Sequence, residues 1–165
     1  MTIASGLRKF ALTLHIVTSV GWVGCIASFL ALAVAGLVSL DANLVLASYL
    51  AMNFSYRTIV IPLGLASLTT GLVSSLATDW GFFRHYWIVV KLLLTMPAIV
   101  LMLAHIQPVK REAHEAAATL SSRARLSGLR LQLVGEASAA LIVLLLATAL
   151  STYKPRGRTG YGARD

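Results

Sequence analysis

The chain has 165 residues, 58% of them hydrophobic and 12% charged, with a formal net charge of +8. Soluble domains carry about a quarter charged residues, so the composition excludes an ordinary water-soluble enzyme and leaves no stretch for a separate soluble catalytic domain. The basic excess lies at the ends of apolar stretches, where it sets topology and meets anionic lipid headgroups. No basic patch is interleaved with exposed aromatic residues, which argues against nucleic acid as a partner.

In chain order, Arg8 and Lys9 precede an apolar run over about 10–38. That run outlasts the ~7–15 apolar residues of a signal peptide and reads as a retained first span. It holds Cys25, the only cysteine, which has no partner for an internal disulfide. Asp41, Ala42 and Asn43 form a break, followed by an apolar piece at 44–52 that is too short to cross alone. The polar cluster Asn53, Ser55, Tyr56 and Arg57 separates this piece from a second span at about 58–77. The piece is either an interfacial helix or the outer turns of one long helix, and the sequence leaves both open. A tight connection at 78–81 leads to a third span at about 82–106, in which Pro97 predicts a kink. Residues 107–130 form a polar connection with a short helix at 111–120, and a fourth span covers about 131–152. The Pro-, Gly- and Arg-containing tail 154–165 is expected to be disordered.

Backbone in hydrocarbon must be hydrogen-bonded within its own segment. Residues 1–153 are therefore predicted to form an all-α, transmembrane, antiparallel four-helix bundle in a lipid bilayer. Gly21 and Gly24, the stripe Gly64, Ser67, Gly71, Ser74 and Ser75, and Gly135 with Ala139 allow close helix approach. Four spans place both termini on one side. Seven Lys and Arg near that side against six near the other leave the positive-inside rule almost balanced. The expectation is a bacterial inner membrane protein with cytoplasmic termini.

Ionisable side chains inside a span cost free energy and mark function by default. Here they are His15, His85, Lys91, His105 and Glu136, with Arg57 at a mouth. His85 and His105 are twenty residues, or about 30 Å, apart on one helix, so they lie at opposite faces. Antiparallel packing puts His15 with His85 and Lys91 at one face, and His105 with Arg57, Gln132 and Glu136 at the other. His15 and Trp22 share one side of the first helix, with Thr18 between them. Met102 and His105, with Met52 near the same face, make a soft donor set suited to copper. Glu136 is expected to pair with Arg57 or His105.

The pattern Leu14-His15 followed by Gly21-Trp22-Val23-Gly24, then Tyr86-Trp87 ahead of Lys91-Leu92-Leu93-Leu94, resembles the HemJ-type protoporphyrinogen oxidases. It also looks like the CopD-type copper-resistance membrane proteins and their small uncharacterised relatives, the nearest likeness. The resemblance implies haem b, with His15 as an iron ligand and Lys91 as the lysine of the third helix. HemJ-type sequences place a histidine two residues before that lysine, where this chain has Val89, and His85 lies one turn further out. Trp22 and Trp87 would supply flat apolar walls, and Lys91 or Arg84 a partner for a propionate.

Three functions are thus expected of the sequence. The first is a membrane oxidoreductase or electron-transfer protein using haem b at His15, His85, Trp22, Trp87 and Lys91. The second is a copper handler using Met102 and His105. The third is a membrane scaffold or complex subunit that needs no cofactor and assembles with itself or a partner through its small-residue faces.

Overall fold

The computed structural model describes residues 5–76, 86–104 and 123–153, which are helical apart from the link at 39–41. Helix α1 (Ser5–Val38) is followed by α2 (Ala42–Ser55) after a turn built on Asp41. The Asp41 carboxylate accepts from the Asn43 N–H at 2.9 Å, and the Ser39 hydroxyl accepts from the Asp41 N–H at 3.1 Å. These bonds satisfy backbone donors that a helix start leaves without intrahelical partners.

Helix α2 continues through a wider π-turn (Tyr56–Val60) into α3 (Ile61–Leu76). Of the two possibilities left open for residues 44–52, the structure takes the single long helix. The wide turn has a local cause in Pro62. Its ring lacks an N–H and would collide with the carbonyl four residues back in a regular helix. The Ile61 N–H instead reaches five residues back to the Tyr56 carbonyl, and such a bulge relieves the clash. The polar residues that suggested a break are satisfied locally. Ser55 donates to the Met52 carbonyl at 3.2 Å and Thr58 to the Phe54 carbonyl at 2.8 Å.

Helix α4 (Tyr86–Ala104) runs on through Pro97, and α5 (Arg123–Tyr153) begins well before residue 131. The end of the expected polar connection is therefore helix. The expected helix at 111–120 and the tail 154–165 lie outside the described residues. Among the described residues, three segments, Gly6–Val38, Ala42–Ser75 and Gly128–Tyr153, are long and apolar enough to cross a membrane. The apolar stretch of α4 is shorter, Ile88–Ala104. Large apolar side chains such as Phe10, Val20, Leu93, Val100 and Leu145 point outward. Length, composition and apolar outer faces together make this an integral membrane protein with an all-α bundle fold.

Helix α1 packs against α2, α3 and α5, while α4 packs on α5 and α3. The contacts run antiparallel, with His15 against Gly71, Trp22 against Gly64 and Gly36 against Tyr49. The core draws Trp22, Ile26, Phe29 and Ala33 from α1, Tyr49 and Met52 from α2, Tyr56 and Val60 from the π-turn, Met102 from α4, and Leu133 and Leu144 from α5. Phe29 and Tyr56 meet with ring centroids 5.5 Å apart, and the Tyr56 hydroxyl donates to the Met102 carbonyl, tying the π-turn to α4.

Gly36 makes the α1–α2 approach possible. A Cβ there would lie 2.7 Å from Cε2 of Tyr49, whose ring is 1% exposed and carries the Arg130 guanidinium 5.3 Å from its centroid. With the ring confined on both sides, Gly36→Ala is expected to destabilise the bundle by about 1–3 kcal/mol, the usual cost of overpacking. Thermal unfolding in detergent followed by circular dichroism reads this as a lowered Tm.

Candidate functional site

Ionisable and hydroxyl side chains from four helices converge at one end of the bundle. Helix α1 presents His15, Thr18 and Ser19 on its inner side, about two to three turns above Arg8 and Lys9. Helix α3 presents Ser67, Thr70 and Gly71, α4 brings Lys91, and α5 brings Ser151. Three of the hydroxyls first satisfy themselves on their own helices. Thr18 donates to the Leu14 carbonyl at 2.9 Å, Thr70 to the Ala66 carbonyl at 2.6 Å and Ser151 to the Ala147 carbonyl at 2.9 Å. This back-bonding is the usual way such side chains are carried in an apolar helix. Their lone pairs remain as acceptors toward the bundle interior.

His15 uses both ring nitrogens. Nδ1 lies 3.1 Å from the Ser67 carbonyl and 3.2 Å from the Thr70 hydroxyl. A carbonyl only accepts, so Nδ1 carries the hydrogen and, in the neutral ring, Nε2 keeps a bare lone pair. That lone pair meets the Lys91 Nζ at 3.3 Å, and Lys91 also donates to the Ser151 hydroxyl at 2.8 Å. The result is a bridge from the Ser67 backbone through His15 and Lys91 to Ser151, spanning α3, α1, α4 and α5. Ser19 and Ser67 add a hydroxyl pair at 2.8 Å, and the Thr18 and Thr70 oxygens lie 3.2 Å apart.

Gly71 is what lets the ring lie on α3. A Cβ at that position would sit 2.9 Å from Cε1 of His15, so any larger residue displaces the imidazole from the Ser67 carbonyl.

The other expected site residues are distributed differently. Trp22 shares the His15 side of α1 but lies two turns along, buried against Gly64 and Met102. It walls the core and does not line the His15–Lys91 bridge. Among the described residues its Nε1 has no hydrogen-bond partner. Met102 puts its sulfur against Gly64, 3.1 Å from where a Cβ would stand there, so its described surroundings are apolar packing. Trp87 lies in the first turn of α4. His85 and His105 lie outside the described residues. Arg57 is on the exposed side of the π-turn, and Glu136 accepts from the Gln132 amide at 2.6 Å. No group of three or more His, Cys, Asp or Glu suited to a metal occurs among the described residues.

Sequence reasoning named His15 and Lys91 and missed Ser151. It counted Ser67 and Gly71 only as packing residues, although Ser67 supplies the carbonyl that fixes the imidazole. The available signal was register. Ser151, near the end of α5, falls at the level of Lys91 near the start of the antiparallel α4.

The donor chemistry suits a haem or metal ligand in one respect. A histidine held through Nδ1 by a backbone carbonyl offers Nε2 in the ligating tautomer. An iron at Nε2 would take the position from which Lys91 now donates, so the two interactions exclude one another. Histidine ¹⁵N spectra should show His15 as a single Nδ1–H tautomer, and Gly71→Val should collapse this to an averaged pattern as the ring loses the Ser67 carbonyl. An unchanged tautomer in Gly71→Val would contradict the role given to Gly71. No protein-family model, no curated protein and no solved structure matches the chain.

Proposed function

We propose that this integral membrane protein is a haem b-binding redox or electron-transfer protein of the bacterial inner membrane, with its termini in the cytoplasm and His15 as the residue that would hold the haem iron. One observation carries the reading: His15 is held by the Ser67 backbone through Nδ1 and turns its Nε2 lone pair into the bundle, beside a lysine. Neutral imidazole is a normal axial ligand, and bundles hold cofactors between facing helices. Lys91 would hold a propionate, since a carboxylate at this depth needs a cationic donor. Bound haem would supply a one-electron centre, while the protein's share is to fix the imidazole and shield the group from lipid and water. The sequence resemblance to HemJ-type proteins points the same way.

Haemin titration of the detergent-purified full chain should produce a saturable Soret band, and His15→Ala should abolish it. A flat titration of the parent protein would overturn the reading.

A second reading is favoured by the closure of the network: every hydrogen bond of the bridge is made inside the bundle, as in a clasp that needs no guest. This is the scaffold or complex-subunit function, in which His15→Ala leaves assembly intact and the parent protein binds no haem. Copper handling through Met102 and His105 is the remaining alternative. An unchanged copper content in His105→Ala would remove its basis.

A further inference from the structure

Lys91 has few routes to full solvation. It projects from α4 between α1 and α5, and its ammonium finds two neutral acceptors, the His15 Nε2 at 3.3 Å and the Ser151 hydroxyl at 2.8 Å. The first of these is the only lone pair on the imidazole ring, since Nδ1 is committed to the Ser67 carbonyl. Neither partner is incidental. Without them, an ammonium among apolar helices costs a few kcal/mol even on insertion scales.

We infer that Lys91 is an internal cap on His15, a displaceable occupant of the Nε2 lone pair that any external ligand of the imidazole must evict. The inference adds regulation to the site proposed above and, for haem as the ligand, rests on that reading. Two features make the cap displaceable. Lysine is a flexible four-carbon stem ending in a point charge, and Ser151 offers its ammonium a second acceptor when the first is lost. Resting protein therefore keeps His15 occupied and inert. An incoming group that brings both an electrophilic centre for Nε2 and an acidic substituent for Lys91 repays both partners at once. One that brings only the electrophile strands the ammonium. The cap thus selects for ligands of mixed character, with a metal or other electrophile on one part and a carboxylate or phosphate on another.

The test uses the full chain in detergent and a probe that needs no haem. Diethyl pyrocarbonate acylates a bare imidazole nitrogen, and peptide mapping by mass spectrometry isolates modification at His15 from that at the other histidines. Lys91→Met should raise the labelling rate of His15 about tenfold, in keeping with loss of one charge-assisted hydrogen bond. Removing a charge from a span favours insertion, so this variant should fold, and an unchanged circular dichroism spectrum checks it. Ser151→Ala, which leaves the evicted ammonium without its second acceptor and does not touch His15, should lower the rate. Unchanged His15 labelling in both variants overturns the cap. The parent and Lys91→Met are then titrated with haemin. Faster labelling together with a Soret band that is weaker in the variant than in the parent supports the cap in its haem form, since the variant has lost the partner of the propionate. Faster labelling with no Soret band in either protein keeps the cap and removes the haem reading instead.

Discussion

An ammonium placed among apolar helices dictates its surroundings. An ammonium costs about 2.5–3.5 kcal/mol at the centre of a span on insertion scales and less toward its ends, and the bundle meets the demand of Lys91 with acceptors rather than with a carboxylate. Ser151 and His15 each offer one lone pair, and each is free to do so because its own hydrogen is spent elsewhere, on the Ala147 and Ser67 carbonyls. The requirement spreads outward. His15 has to lie flat on α3, which needs Gly71, and α1, α3, α4 and α5 have to reach the same level at that end of the bundle. One charge thereby fixes the relative heights of four helices.

The opposite end has its own polar level, where Arg130 stacks on Tyr49 and the Tyr49 ring fits against Gly36. Twenty-one residues separate Arg130 from Ser151 on α5, a rise of about 31 Å and close to the ~30 Å of a hydrocarbon core. Between the two levels the interior is almost wholly apolar, with Trp22, Ile26, Phe29, Met52, Val60 and Met102 filling it. The His15–Lys91 bridge then falls near one hydrocarbon boundary. A ligand with a charged edge would approach it from the headgroup region, with its apolar body toward the core.

Much of this was legible in the sequence because it follows from register. Span lengths and an antiparallel order suffice to bring residue 15 to residue 91, whatever the side chains do. The less legible parts depend on side-chain reach. Trp22 was placed on the correct side of α1, but seven residues carry it about 10 Å along the axis, and there it belongs to Gly64 and Met102. The continuity of α2 with α3 was hidden because Asn53, Ser55, Tyr56 and Arg57 have the composition of an interface. Tyr56 is in fact buried and spends its hydroxyl on a carbonyl of α4, while Arg57 alone turns outward. A backbone acceptor such as the Ser67 carbonyl leaves no mark in the letters at all.

The π-turn at Tyr56–Val60 makes chain length itself a structural constraint here. It accommodates one residue more than an α-helical turn would, so the inward faces of α2 and α3 agree only because of that surplus. Exchanging side chains in this segment leaves the phase intact. Excising a single residue would press the Pro62 ring against the carbonyl four residues back and swing Tyr49 and Met52 by about 100° relative to Gly64 and Gly71. Either the lid over Gly36 or the seat of the imidazole would then face lipid, which makes this stretch far more tolerant of substitution than of a one-codon deletion.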